Sequence, residues 1–229
     1  MVEPTVAATL LLEVLIFGLF VVAVRRGDTA AAINALVAFA LVLFPSILAF
    51  ALRTVFARHL QFGQALPFWL AIAGFLHTLG MLRRYESTWW WDHLTHTVSA
   101  ALVAALVYAG VIVAFPDTSG LDRAATTVAA TFAVGVCWEL LELTARAVGE
   151  RFDIEPVLVH YGWRDTGLDM VFDVVGALLV IGLDVRAFVP IAAQNPGGTG
   201  AMLVGGAWAV VLTSAAMAIV LGLRASLSL

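Results

Sequence analysis

The chain has 229 residues, of which 62% are hydrophobic and 12% charged, with a net charge of −4 and a mean hydropathy of +0.99. A soluble domain carries about 25% charged residues, so too little polar surface remains here to cover a water-soluble protein. A lipid-facing exterior is expected instead, and no basic patch points to nucleic acid.

A helix needs about 20 apolar residues to cross the hydrocarbon core of a bilayer. Seven segments satisfy this in chain order: residues 5–24, 31–52, 64–82, 94–115, 124–146, 168–189 and 201–223. The first follows no basic n-region, so it reads as a membrane span rather than a cleaved signal. Arg25-Arg26-Gly27-Asp28 ends the first segment, Arg53 and Arg58 follow the second, and Arg83-Arg84 ends the third. Pro116-Asp117-Thr118-Ser119-Gly120 separates the fourth from the fifth, and Pro190 with Asn195-Pro196-Gly197-Gly198 separates the sixth from the seventh. The expected fold is an all-α membrane bundle of about seven helices, forming a single polytopic domain over residues 1–229 of a cell-membrane protein.

Cytoplasmic loops carry excess basic residues. With seven spans, Arg25, Arg26, Arg83, Arg84, Arg146, Arg151, Arg164 and Arg224 share one side, and Arg53, Arg58, Arg123 and Arg186 the other. That distribution puts the N-terminus outside and the C-terminus inside. Cys137 is the only cysteine, so no intramolecular disulfide forms. The absence of lysine excludes a Schiff-base photoreceptor.

Ionisable groups inside spans cost about 2.5–3.5 kcal/mol each at a helix centre and persist where they face the bundle interior. Three groups stand out. Asp92 and His96 lie four apart at the start of the fourth span, on one helix face. Glu139 and Glu142 lie three apart late in the fifth, and Arg146 is placed to pair with Glu142. Asp165, Asp169 and Asp173 recur every four residues, within an arc of about 80° on a helix. A helix N-terminus accounts for the first of them. It does not account for Asp173, about 12 Å further along the axis.

The expected topology gathers all three groups at one membrane face. So many acids at one place favour a hard divalent cation held through oxygen. The candidate ligands are Asp92, His96, Glu139, Glu142, Asp165, Asp169 and Asp173, for Mg²⁺, Mn²⁺, Ca²⁺ or Zn²⁺. Asp92, His96, Glu139 and Asp169 are the residues expected to carry any catalysis, with Arg146 and Arg164 as the nearby counterions. Glu13 in the first span has His77 as a candidate partner. Trp89, Trp90, Trp91 and Trp163 read as an interfacial aromatic belt, and His160 as a solvated loop residue.

Trp-Asp-His-Leu-Thr-His (91–96), Glu-Leu-Leu-Glu (139–142) and Trp-Arg-Asp-Thr-Gly-Leu-Asp-Met (163–170) with Gly176-Ala177 resemble the YjdF-like inner-membrane proteins. The resemblance covers roughly residues 90–178. By position it marks Asp92, His96, Glu139, Glu142, Asp165 and Asp169. The chain departs from the family pattern in lacking an arginine–glutamate pair between Val98 and Phe115. The family brings no named activity.

Three functions compete at this point. One is a divalent-metal-dependent hydrolase or transferase acting on a lipid or other amphiphile. Another is a cation or proton transporter using the same carboxylates. The third is a non-catalytic membrane component whose acids hold its helices together. The Asp-x3-Asp-x3-Asp spacing loosely resembles CDP-alcohol phosphotransferases, but their Asp-Gly and Ala-Arg elements are missing.

Overall fold

Several of the long helices begin or end where the local chemistry supplies a partner for orphan backbone groups. In the computed structural model, which describes residues 3–227, α1 spans Pro4–Arg26 and stops at Gly27, whose φ of 70° suits glycine. The Asp28 carboxylate then accepts from Ala31 N at 2.9 Å and opens α2, Thr29–Phe56. Next come α3, Ala65–Leu79, a π-helical turn over Gly80–Arg84, and the short α4, Tyr85–Ser87. α5 runs over Trp91–Ala114. Ser119 caps α6, Gly120–Phe152, accepting from Asp122 N at 3.1 Å and donating to the Asp122 carboxylate at 2.7 Å. α7 spans Trp163–Gly182, α8 is the four-residue turn Val189–Ala192, and α9 spans Pro196–Leu227.

Among the described residues, six helices are long and apolar enough to cross a membrane: Pro4–Arg26, Thr29–Phe56, Ala65–Ser87, Trp91–Ala114, Gly120–Phe152 and Pro196–Arg224. Large apolar side chains such as Phe50 (69% exposed) and Met202 (78%) cover their outer faces, as a lipid solvent requires. The remaining expected span, 168–189, forms α7 instead, starting earlier at Trp163 and stopping at Gly182. Its 20 residues include Asp165, Asp169 and Asp173, and this charge sets it apart from the other six.

Two further expectations shift. Arg83-Arg84 does not end the third helical stretch. Arg83 takes a left-handed conformation (φ 86°) inside the π turn, and the helix resumes to Ser87. Asn195-Pro196-Gly197-Gly198 is a helix start rather than a break. The Asn195 side chain accepts from Gly198 N at 3.0 Å, and Pro196 occupies the first helical position, where its missing N–H costs nothing.

The chain divides into two compact units, one holding the residues up to Thr95 with Ala187–Gln194, the other His96–Arg186 with the chain from Asn195 onward. In the first, α1, α2 and α3 pack together around Ile16, Ala38, Val42 and Ala71. Trp69 meets Phe188 with ring centroids 5.8 Å apart. Asn34, His77, Tyr85, Thr95 and Asp92 form a polar chain in this unit. His77 Nε2 lies 3.0 Å from Asn34 Oδ1, and the Tyr85 hydroxyl 2.8 Å from His77 Nδ1 and 3.4 Å from Thr95 Oγ1. Thr95 donates to the Asp92 carbonyl at 2.8 Å. His77 is thus held by Asn34 and Tyr85 rather than by Glu13. Glu13 lies two and a half turns into α1 from its N-terminus, with no bond to His77 among the described residues.

In the second unit α6 packs against α7 and α9. α7 approaches α5 at Gly176, where a side-chain carbon would meet Thr97 O at 2.6 Å and Ala101 N at 2.9 Å. Only a residue without Cβ lets the two backbones come this close. That approach sets Asp169 and Asp173 of α7 beside the start of α5.

Candidate metal centre

Within the second unit, α5, α6 and α7 each contribute acidic or imidazole groups to one place. Ligand atoms of His96, Glu139 and Glu142 all lie within 4.8 Å of one another, and a carboxylate oxygen of Asp169 lies within 4.8 Å of a His96 ring nitrogen. His96 Nδ1 stands 3.2 Å from Asp173 Oδ1, with the two side chains only 10% and 5% exposed. Asp169 and Asp173, one helical turn apart, are both buried.

Glu139 is buried as well. Its Oε2 accepts from the Thr166 hydroxyl at 2.6 Å, and His160 Nδ1 approaches the same oxygen to 4.0 Å. Among the described residues, its Oε1 has no hydrogen-bond partner, and neither has Oδ2 of Asp173. Glu142 is fixed differently, accepting from Trp138 Nε1 at 2.9 Å one turn back along α6. A buried polar atom without a partner loses its hydration uncompensated, and for an ionised carboxylate that loss is severe.

The expected counterions stand elsewhere. Arg146 donates to Glu150 at 3.0 Å on the exposed side of α6, and not to Glu142. Both residues share that solvated face, whereas Glu142 is drawn to the Trp138 indole. Arg164 is exposed and makes no ion pair among the described residues. Among the described residues, no arginine pairs with Glu139 or Asp173.

Two sequence candidates remain, Asp165 and Asp92. Asp165 is half-buried in the first turn of α7, outside the donors that lie within 4.8 Å of one another. Asp92 stands in the first unit, one turn before His96 along α5, with its carboxylate 3.4 Å from Thr95 Oγ1. Trp89 and Trp163 are exposed, at 81% and 75%, as an interfacial belt requires. Trp91 instead donates to the Leu76 carbonyl at 3.1 Å and ties α5 to α3.

A family model described as "Predicted membrane protein (DUF2238)" matches residues 7–189. The chain belongs to the DUF2238 family. The YjdF-like resemblance of residues 90–178 is consistent with that membership. The DUF2238 match takes in α1 to α7 and hence every residue of the candidate centre. No curated protein and no solved structure matches the chain.

In this DUF2238 protein, residue spacing did not reveal three contributors to the site. His160 is not solvated: its side chain is 4% exposed, set against Glu139 and edge-on to Trp163 at 5.8 Å. The polar segment carrying it folds back because α6 overruns the expected span to Phe152 and turns at Asp153 (φ 54°). Thr166 lies inside the Asp-Thr-x-x-Asp motif, but its bond to Glu139 follows only from how α6 and α7 pack. Gly135 faces Asp173, and a Cβ there would collide with Asp173 Oδ2.

Proposed function

We propose that this multi-pass membrane protein binds a divalent cation in its second unit through His96, Glu139, Glu142 and Asp169, and is a metal-dependent hydrolase or transferase acting on a lipid or amphiphile. The observation that supports the cation is the buried carboxylate of Glu139, whose Oε1 lacks a partner among the described residues and which has an imidazole, and no arginine, beside it. A cation supplies the missing positive charge and the missing coordination. The three helices present donors from different directions, as a coordination sphere requires. The arginine distribution favours the cytoplasmic side for this face.

A cation so held polarises a phosphoryl or carbonyl oxygen and lowers the pKa of bound water. The protein's share is to hold the donors rigidly. Thr166 fixes Glu139, Trp138 fixes Glu142 and Asp173 fixes His96. The exposed apolar residues around the start of α7, Trp163, Leu168 and Val171, give an acyl chain a surface to lie against.

A ligand that binds only the native state stabilises it by about 2.7 kcal/mol at a hundredfold excess over its dissociation constant. The purified protein is therefore expected to melt at higher temperature with Mg²⁺, Mn²⁺, Ca²⁺ or Zn²⁺ than with chelator. Glu139→Gln, which keeps the shape and the Thr166 hydrogen bond but loses the charge, is expected to abolish that shift while still folding. An unchanged melting temperature with every ion contradicts the cation site.

The same unpartnered oxygen also suits proton or cation transfer across the membrane. Flux through proteoliposomes that Glu139→Gln abolishes would favour transport over hydrolysis.

A further inference from the structure

Asp173 touches a candidate ligand directly. It lies one turn beyond Asp169 on α7, and its Oδ1 meets His96 Nδ1 at 3.2 Å in surroundings almost closed to solvent. An ionised carboxylate can only accept a hydrogen bond, so Nδ1 must carry the proton. In the neutral ring that leaves the lone pair on Nε2. One face of Asp173 is further confined by Gly135, where any Cβ would strike Oδ2. The carboxylate is thus held between α5 and α6 and directed at the imidazole.

We infer that Asp173 is a positioning residue, holding His96 so that Nε2 faces the cation, and that the centre prefers an imidazole-binding cation such as Zn²⁺ over Mg²⁺ or Ca²⁺. This rests on the cation site proposed above and names which cation it takes. A carboxylate bonded to the far nitrogen of a ligating histidine fixes its tautomer and orientation and raises its basicity. Imidazole suits zinc and its neighbours, whereas magnesium and calcium favour carboxylates, carbonyls and water. His96 lies within 4.8 Å of Asp169 and within 4.8 Å of Glu139 and Glu142, so its orientation is decisive for the site.

The test uses the full chain in detergent and the metals alone. Zn²⁺ and Mg²⁺ affinities are measured by titration calorimetry, and Co²⁺ serves as a visible-absorption reporter of coordination. The wild type is expected to bind Zn²⁺ more tightly than Mg²⁺ by at least tenfold. Asp173→Ala is expected to lose about 10- to 100-fold in Zn²⁺ affinity. Asp173→Asn should lose less, because its amide oxygen still accepts from Nδ1–H. The Co²⁺ spectrum of Asp173→Asn should keep its shape, since no ligand has been removed. Gly135→Ala, which displaces the carboxylate without deleting it, should weaken Zn²⁺ binding in the same direction and serves if Asp173→Ala fails to fold. Equal Zn²⁺ and Mg²⁺ affinities in the wild type, full affinity in Asp173→Ala, or a Co²⁺ spectrum in Asp173→Asn that signals a lost ligand would overturn the inference while leaving a cation site in place. A wild type that binds none of the three metals overturns the cation site itself.

Discussion

Single residues in this protein are placed by what they can hydrogen-bond, and their partners separate satisfied charges from unsatisfied ones. Asp184 illustrates the satisfied kind. It sits just past α7 in a left-handed conformation (φ 48°) and accepts from Tyr108 at 2.7 Å and from Arg186 at 3.0 Å. Those two bonds, Arg186 first, hold its carboxyl below the usual carboxylate range. A carboxylate with a depressed native pKa adds stability that is fully present above its unfolded value, about 3.9, and disappears as pH falls through the lower folded value. The group is exposed, so the effect should be small and screened by salt. Melting temperatures from pH 6 down to 2 should therefore fall less steeply in Asp184→Asn than in the wild type at low salt, with the difference shrinking in high salt. Parallel curves at low salt would contradict this. Glu139 and Asp173 are the opposite case, buried with an oxygen left over.

At the scale of the helices, close packing rather than propensity positions the site. α7 touches α5 backbone to backbone at Gly176, and Gly167 of the same helix has open space around it. Gly176→Ala must push the helices apart, because the atoms its Cβ would meet belong to the backbone of Thr97 and Ala101. A cost of about 1–3 kcal/mol is expected, as for overpacking in a close-packed core. Gly167→Ala should be neutral or slightly stabilising, since it adds helix propensity without a clash. Denaturant titrations of both variants check this, and equal stabilities would contradict it. The existence of the helices was legible from the sequence because lipid demands long apolar runs. Their ends were less so. Arg83 and Arg84 look like a terminus, yet a π turn absorbs them. Pro196-Gly197-Gly198 looks like a break, yet Asn195 turns it into a cap. Local chemistry of these kinds depends on side-chain direction, which spacing alone does not specify.

For the whole molecule, the sequence placed acids or a histidine at the fourth, fifth and sixth apolar segments, and the second unit brings His96 within 4.8 Å of Glu139 and Glu142 and within 4.8 Å of Asp169. Helical periodicity sufficed to pair Asp169 with Asp173 and Glu139 with Glu142. It could not show that Arg146 would choose Glu150, that His160 would fold back onto Glu139, or that Asp173 would bond His96, because these depend on packing between segments distant in sequence. The central claim is that these groups together hold a cation. Anomalous scattering at the zinc edge from crystals grown with Zn²⁺ tests it most directly. The account predicts one strong peak with His96 and Glu139 among its ligands, at about 2.0–2.2 Å, and with Asp173 bonded to His96 rather than to the metal. No peak in the second unit, or a peak reached by none of His96, Glu139, Glu142 and Asp169, would contradict it.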